Sequence, residues 1–308
     1  MQKENCNSIA ISTTWNESRS SNVKDMLEEI KGLGFDKIEV GYSISSDKLE
    51  ALSHLIKNIN IEVVSIHNFC PLPPNPQLKR HVSDYYRISS LDEEERQKAV
   101  EYTKRTIDTA KRLSAQAVVI HAGTVEMDEN YVGRMIDLFQ ENKVNSIEYQ
   151  EFKEEFLYAR ENRKGPYLEA VAKSLRDIFS YAAISKVKIG LETRYSPEDI
   201  PNFAEIGHFL NLFSNEGLYY WHDVGHAVVN DRLGLRSHLT YLEEYSGRLL
   251  GMHIHDIKGL KDHLAPFAGD LDYSGLLPYL SKDGLIKVIE VHSQATSQEI
   301  KESMKRLS

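Results

Sequence analysis

Glu192, Asp223, His253 and Glu290 are the residues of this sequence best suited to chemistry, each closing or lying in a short apolar run: IGLE, YYWHD, LLGMH and KVIE. Carboxylates and an imidazole together offer mixed oxygen and nitrogen donors. Such a set suits Mn2+, Zn2+, Co2+ or Fe2+ better than Ca2+. A carboxylate buried alone is costly, so a cluster of them calls for a cation. Any one of these residues is explained by a salt bridge or a cap; four on successive strands are not. Three histidines extend the set: His67 ends VVSIH, His121 follows VVI, and His226 lies three residues after Asp223. They either bind a second and third cation or hydrogen-bond a substrate. For His67 and His121 the bland alternative is a core histidine satisfied by backbone. His222 precedes Asp223 and faces away by strand alternation. His255 lies past its strand end and its role is open. The next stretch carries Asp256, Lys258, Lys261, Asp262 and His263. Asp262 and His263 are in reach of the site. Lys258 or Lys261 either holds a substrate anion or is a solvated loop lysine.

These residues need elements that bring them together. Runs that are apolar on both faces read as strands of a parallel sheet. They fall near 8–13, 37–41, 62–67, 116–121, 187–192, 218–223, 249–254 and 286–291. Amphipathic stretches of helical length lie between them. In 97–113, Val100, Thr103, Ile107, Ala110 and Leu113 follow helical spacing. KDMLEEIKGLGF ends in a Gly-x-Gly stop before the second strand. This alternation predicts an α/β fold, a closed (β/α)8 barrel over 1–308 as a single domain. An open doubly wound sheet is the weaker alternative, because no G-x-G-x-x-G follows the first strand. In a closed barrel the strand C-termini converge on one mouth, which places every residue named above around it.

One interval is too long. Strand four ends at His121 and strand five starts near 187, whereas one return helix needs roughly 10–15 residues. An excursion over about 124–165 is expected before a helix at 167–183. It carries Tyr131, Phe139, Tyr149, Phe152, Phe156 and Tyr158. It is either a helical decoration or a lid or dimer contact on the catalytic face. A second long loop, 68–93, contains CPLPPNP and is stiffened by proline.

Composition narrows the partners. The net charge is −9 over 308 residues, which argues against nucleic acid as a general partner. Cys6 and Cys70 form neither a disulfide framework nor a zinc-thiolate motif and read as thiols in a reducing compartment. No apolar run approaches the ~18 residues of a membrane span, and MQKENCNSIA lacks the pattern of a signal peptide. A soluble cytoplasmic protein acting on a small molecule is expected, with a homo-oligomer compatible.

The ordered series IHN, VIHAG, LET, HDVGHA, HIHDIKG with DHLAPFAGD, and IEVH resembles the xylose-isomerase-like TIM barrel superfamily. That group includes sugar isomerases and epimerases, hydroxypyruvate and inosose enzymes, and abasic-site endonucleases. The resemblance to the ketose epimerases implies one divalent metal on Glu192, Asp223, His253 and Glu290, with Glu192 and Glu290 as acid and base. Their arginine six residues past the metal histidine is replaced here by Gly259. The resemblance to the endonucleases implies three zincs on His67, His121, Glu192, Asp223, His226, His253, Asp262 and Glu290. The histidine expected two residues after that aspartate is Leu264, which leaves the third zinc site incomplete. The function expected is a metal-dependent isomerase or epimerase of a small sugar, ketose or polyol, working through an enediolate. The alternatives are a multi-zinc phosphodiesterase, a dehydratase of a sugar or cyclitol, and a non-catalytic sugar-binding barrel.

Overall fold

A computed structural model describes residues 9–74 and 80–307. Cys6 lies outside them, as does part of the proline-rich CPLPPNP stretch. Eight parallel strands close on themselves: β1 (Ile9–Ser12), β2 (Lys37–Val40), β3 (Glu62–His67), β4 (Ala117–Ile120), β5 (Lys188–Glu192), β6 (Leu218–Asp223), β7 (Leu249–Ile254) and β8 (Ile286–Ile289). Each pairs with its sequence neighbour, and β8 returns to β1 through Ile9↔Lys287 and Ile11↔Ile289. The eight strand expectations are borne out, and so is the closed barrel.

The helices form where capping and periodicity ask for them. Helix α1 (Val23–Gly32) starts at Asn22, whose side chain accepts from Asp25 N, and stops before Gly34 at φ +102°. Helix α2 spans Ser46–Ile59. Helix α3 (Glu93–Leu113) buries Val100, Thr103, Ile107, Ala110 and Leu113 and is capped by Asp92. These outward-facing packings make one continuous core between sheet and helices.

Inside the barrel a smaller core of Ala10, Val64, Ala117, Val119, Leu250, Ile286 and Val288 surrounds Trp221. The indole fits because two strands carry glycine beside it. A Cβ at Gly251 would lie 2.3 Å from Trp221 Cζ3, and one at Gly190 would lie 2.9 Å from Cε3. Trp221 is fully buried and its ring stands edge-on to His253 at 5.2 Å, so it forms the floor of the mouth. Gly251→Ala should therefore lower unfolding stability by about 1–3 kcal/mol through overpacking. Chemical denaturation checks this, and an unchanged midpoint would contradict it.

The excursion differs from expectation at its far end. After α4 (Tyr131–Gln140), a single 36-residue helix, α5, runs Ile147–Ala182 straight through Gly165 and Pro166. No separate helix begins at 167. Proline removes one hydrogen bond at a cost of about 3 kcal/mol, but both halves of α5 are anchored. Tyr149, Phe156 and Arg160 are buried in the first half, and Val171, Leu175, Ile178 and Phe179 in the second. Tyr131, Tyr149 and Phe156 join a second apolar cluster with Val228, Val229, Leu233 and Ile257, against which Phe139 and Phe152 pack. Only Tyr158 of the six aromatics named above is turned to solvent.

Five further helices complete the described chain: α6 (Phe203–Leu212), α7 (Val224–Arg232), α8 (His238–Tyr245), α9 (Leu277–Leu280) and α10 (Ser297–Leu307). Two short antiparallel ladders sit at the mouth, Gly123–Thr124 with Asp199–Ile200 and Asp256–Lys258 with Lys261–Leu264. Among the described residues no helix is long and apolar enough to cross a membrane. Cys70 is a buried free thiol, pushed up in pKa by burial.

Candidate metal and catalytic site

Glu192 ends β5, Asp223 ends β6, His253 is the penultimate residue of β7, and Glu290 follows β8. One donor atom from each falls within 4.8 Å of all the others. His253 Nδ1 is the hub: it lies 2.8 Å from Glu192 Oε1, 3.1 Å from Glu290 Oε2 and 3.7 Å from Asp223 Oδ2. All four residues are buried. Such a knot of carboxylates needs a positive charge at its centre, either a proton on His253 or a metal ion. Asp223 also caps α7, accepting His226 N at 2.7 Å. The three-residue spacing of HDVGH is thus the spacing from a helix cap to its third residue, which turns His226 back to the mouth.

The other ring nitrogen of His253 finds Glu39, which the sequence reading missed. Nε2 lies 3.1 and 3.2 Å from the Glu39 oxygens, and Ser65 Oγ donates to Oε2 at 2.8 Å. A carboxylate behind an imidazole fixes its tautomer and raises its basicity toward a metal on the opposite nitrogen. Glu39→Gln should weaken metal binding at this cluster about 10–100-fold. Metal titration of the variant tests this, and wild-type affinity would contradict it.

Four more histidines share one design. Each faces an oxygen with Nδ1: His67 the Asn68 carbonyl at 2.9 Å, His121 Asp84 Oδ1 at 3.3 Å, His226 the Thr193 carbonyl at 2.9 Å and His263 the Glu290 carbonyl at 3.2 Å. At His67, His226 and His263 the partner is a backbone carbonyl, so the proton of the neutral ring sits on Nδ1 and Nε2 presents a lone pair. His121 instead has a carboxylate at each ring nitrogen. Yet every Nε2 faces a carboxylate. His67 and His121 lie 3.2 and 2.8 Å from Glu192 Oε2, and His226 and His263 lie 3.5 and 3.7 Å from Asp262 Oδ2. Lone pair against carboxylate is repulsive unless a cation stands between them or the ring takes up a proton. At His67 burial is outweighed by the bond and charge of Glu192, and the raised pKa favours that proton. His263 is not protonated to relieve it, since burial and the neighbouring His255 hold its pKa well below the usual value. The residues thus fit three cation positions: His67, His121 and Glu192; Glu192, Asp223, His253 and Glu290; and His226, Asp262 and His263.

The third group corrects an expectation. Leu264 offers no donor, but His263 stands beside Asp262 and His226, so the three could hold an ion. The backbone of His263 is left-handed, φ +52°, and its N–H donates to His255 Nδ1 at 2.9 Å. That turn brings the imidazole one residue early in sequence to the same carboxylate. His255 in turn donates from Nε2 to Asp223 Oδ1 at 2.9 Å, which gives it a positioning role.

Electrostatics separates the two glutamates. Burial pushes the Glu290 carboxyl up to about 7; His253 opposes this, and the charges of Glu39 and Glu192 add to it. Burial also acts on Glu192, but His253 and His121 outweigh it and hold that carboxyl well below its usual range. His253 is driven well above the ordinary histidine value, because Glu290, Glu39 and Glu192 overcome the cost of its burial.

The site opens into a cleft of 380 Å3. The sequence of residues 27–308 matches the family described as xylose isomerase-like TIM barrel. This chain belongs to that family. Among solved structures, it is similar to 3-keto-D-glucoside 4-epimerase YcjR from E. coli, with 16% identity, TM-score 0.68 and 98% of each chain covered. It is similar to a putative xylose isomerase from Rhodospirillum rubrum, with 12% identity, TM-score 0.71 and 98% of each chain covered. It is also similar to D-psicose 3-epimerase from Clostridium cellulolyticum, solved with D-tagatose, with 13% identity, TM-score 0.66 and coverage of 97% and 96%. No functionally curated protein matches the sequence.

Within this xylose isomerase-like barrel, His67, His121, Glu192, His226, Asp262 and Glu290 line the cleft, while Asp223 and His253 lie just beneath. Lys258 does not join them. Its side chain is exposed on the hairpin that follows β7, and Lys261 across that hairpin is exposed too. The hairpin turns Asp262 and His263 inward and the lysines outward. The excursion contributes no residue to the cleft lining. The wall comes instead from residues the sequence reading did not single out, chiefly Asp84 in the turn Val82–Asp84 and Arg194 and Asp199 after β5. Glu39 and Arg194 had a faint signal, as lone charges in or just after apolar runs. Asp84 had none, because it belongs to a long loop.

Proposed function

We propose that this protein is a metal-dependent isomerase or epimerase of a small sugar, ketose or polyol. The observation that carries this reading is the pair Glu192 and Glu290, set on two sides of His253 Nδ1 within one buried cluster of possible metal ligands. Glu192, Asp223, His253 and Glu290 would hold a divalent metal, Mn2+ or Zn2+ being the first candidates. When bound, the metal supplies Lewis acidity toward a carbonyl and a hydroxyl oxygen. The residues do the proton work. One carboxylate takes a proton from carbon and the other carboxyl returns one. Glu192 and Glu290 would fill these two roles, exchanged in the reverse direction. The floor of Trp221 keeps water from below, and the cleft volume suits a monosaccharide. The neighbours in fold named as epimerases and a xylose isomerase are in keeping with this.

A multi-metal phosphodiesterase is the second reading, favoured by one observation: His226, Asp262 and His263 complete a third cation position. The same experiment decides between them. Metal content is measured on protein loaded with Mn2+ or Zn2+, then a panel of ketoses is incubated in deuterated water and followed by NMR. The first reading expects stereochemical or positional isomerisation with solvent deuterium entering the carbon. Cleavage of abasic-site DNA by protein carrying three metals, with every sugar unchanged, would install the second. Replacing His67 and His121 by Asn should lower metal content only if they are ligands.

A further inference from the structure

We propose that a second cavity, on the far side of the loop that follows β5, binds a small monoanion with an apolar body, of the class of an aromatic carboxylate. This does not depend on which reaction the cleft performs.

The cavity measures 240 Å3 and lies where the first half of α5 meets the start of α6, α7 and α8. It shares no lining residue with the cleft. Phe156, Leu157, Phe203, Leu235 and Tyr241 give it an apolar side. The polar side is built of donors. The capping box of α6 uses Asn202 N and Glu205 N and leaves the amides of Phe203 and Ala204 without an acceptor among the described residues. First-turn amides have no partner inside their own helix, and the helix dipole adds partial positive charge there. Arg160 stands in the same wall and is 3% exposed. Its Nη1 and Nη2 hold the two oxygens of Glu205 at 2.7 and 2.9 Å, while its Nε is buried and has no partner. A buried donor left in that state calls for an acceptor. Arg236 lies over the Phe203 ring at 4.4 Å and makes no ion pair among the described residues.

Charge and shape decide what the acceptor belongs to. Glu205 is neutralised by Arg160, and Glu161 at the rim pairs with Lys164 at 2.6 Å. Arg236 is left uncompensated, which matches a single negative charge. A carboxylate accepts from a guanidinium and has lone pairs left for backbone amides. Phe156, Phe203 and Tyr241 ask for a body that buries hydrocarbon, which a sugar lacks, and the volume takes one ring. Cavity and cleft lie back to back. Asn230, which lines the cavity, donates Nδ2 to the carbonyls of Arg194 at 2.9 Å and His226 at 2.8 Å. Arg160 Nη2 donates to the Asp199 carbonyl at 2.8 Å. The occupant therefore rests against the side chains that tie down three residues of the cleft wall.

The experiment titrates benzoate into the full-length protein by calorimetry, once loaded with Mn2+ and once treated with chelator. Benzoate should bind with a Kd of about 1 mM or tighter, within reach of a ligand of its size, and equally in both preparations. Benzyl alcohol has the body without the charge, and acetate the charge without the body. Each should bind about tenfold or more weakly. Arg236→Gln should weaken benzoate about tenfold. Leu157→Glu, which sets a like charge on a wall position 45% exposed, should weaken it at least as much. Both positions reach solvent, so the fold should survive, and an unchanged melting temperature confirms it. No heat of binding up to about 10 mM, benzyl alcohol or acetate binding as well as benzoate, or an affinity indifferent to either substitution would overturn the proposal. So would an affinity that follows Mn2+ instead of Arg236, because the benzoate would then sit in the cleft.

Discussion

Glu290→Gln protein is expected to keep its fold and to lose about 10²–10⁴-fold in turnover. Glutamine preserves the shape of the side chain but cannot exchange a proton with carbon or its oxygens. The fold should not suffer. The Glu290 carboxyl in the folded, metal-free protein is pushed up to about 7 from an ordinary 4.5, so its contribution to stability is full below 4.5 and lost as pH rises through 7. Above that point the ionised carboxylate is a burden that neutral glutamine lacks. Metal-free Glu290→Gln protein should therefore unfold no more readily than wild type in mildly alkaline buffer. Because Glu290 also counts among the four putting donor atoms at one point, turnover must be compared at saturating metal, with content measured. Turnover within about tenfold of wild type, the lower limit of general acid–base help being well above that, would remove Glu290 from the proton transfer.

Much of this arrangement was legible in the sequence because a parallel barrel strand announces itself. IGLE, YYWHD and KVIE are apolar on both faces and then abruptly acidic, and only a convergent mouth reconciles that pattern with the cost of burying charge. Tertiary packing overrode the local signal at Pro166, where two well-anchored halves carry one helix through a residue that should end it. Position 264 misled for a different reason. A one-residue turn into left-handed backbone at His263 restores a contact that spacing alone declares missing. Lys258 misled because which side of a hairpin faces the cleft is decided by its twist and partner, not by its sequence. Asp84 was invisible, since a 25-residue connection leaves no period to read; only the chain's path shows that its carboxylate steadies both His121 and Arg194.

Metal binding by the four-residue cluster should weaken steeply as pH falls, and the steepness should itself change near pH 7. Without metal the cluster holds its own cation. His253 stays protonated well above the usual 6.5, and its two ring nitrogens face Glu192 and Glu39 at hydrogen-bond distance. A metal ion must displace that proton, and below about 7 it must displace the Glu290 proton as well. Affinity should therefore change about tenfold per pH unit on the alkaline side and about 100-fold per unit on the acid side, one proton and then two being released per ion. Glu192 and Asp223 are held well below their ordinary values and Glu39 is lowered, so all three remain ionised through this window and add no slope. The stability of the metal-free protein moves the opposite way. The raised pKa values of His253 and Glu290 stabilise it at low pH, and that stabilisation is lost as pH rises through them. The gap in melting temperature between metal-loaded and chelator-treated protein should accordingly widen with pH, toward the roughly 4 kcal/mol that a ligand at a thousand times its Kd contributes. Thermal unfolding with and without Mn2+ or Zn2+ across this range measures it directly. A gap that stays constant would mean that no proton leaves the cluster when the metal enters, and the ligand set would then have to be sought away from His253.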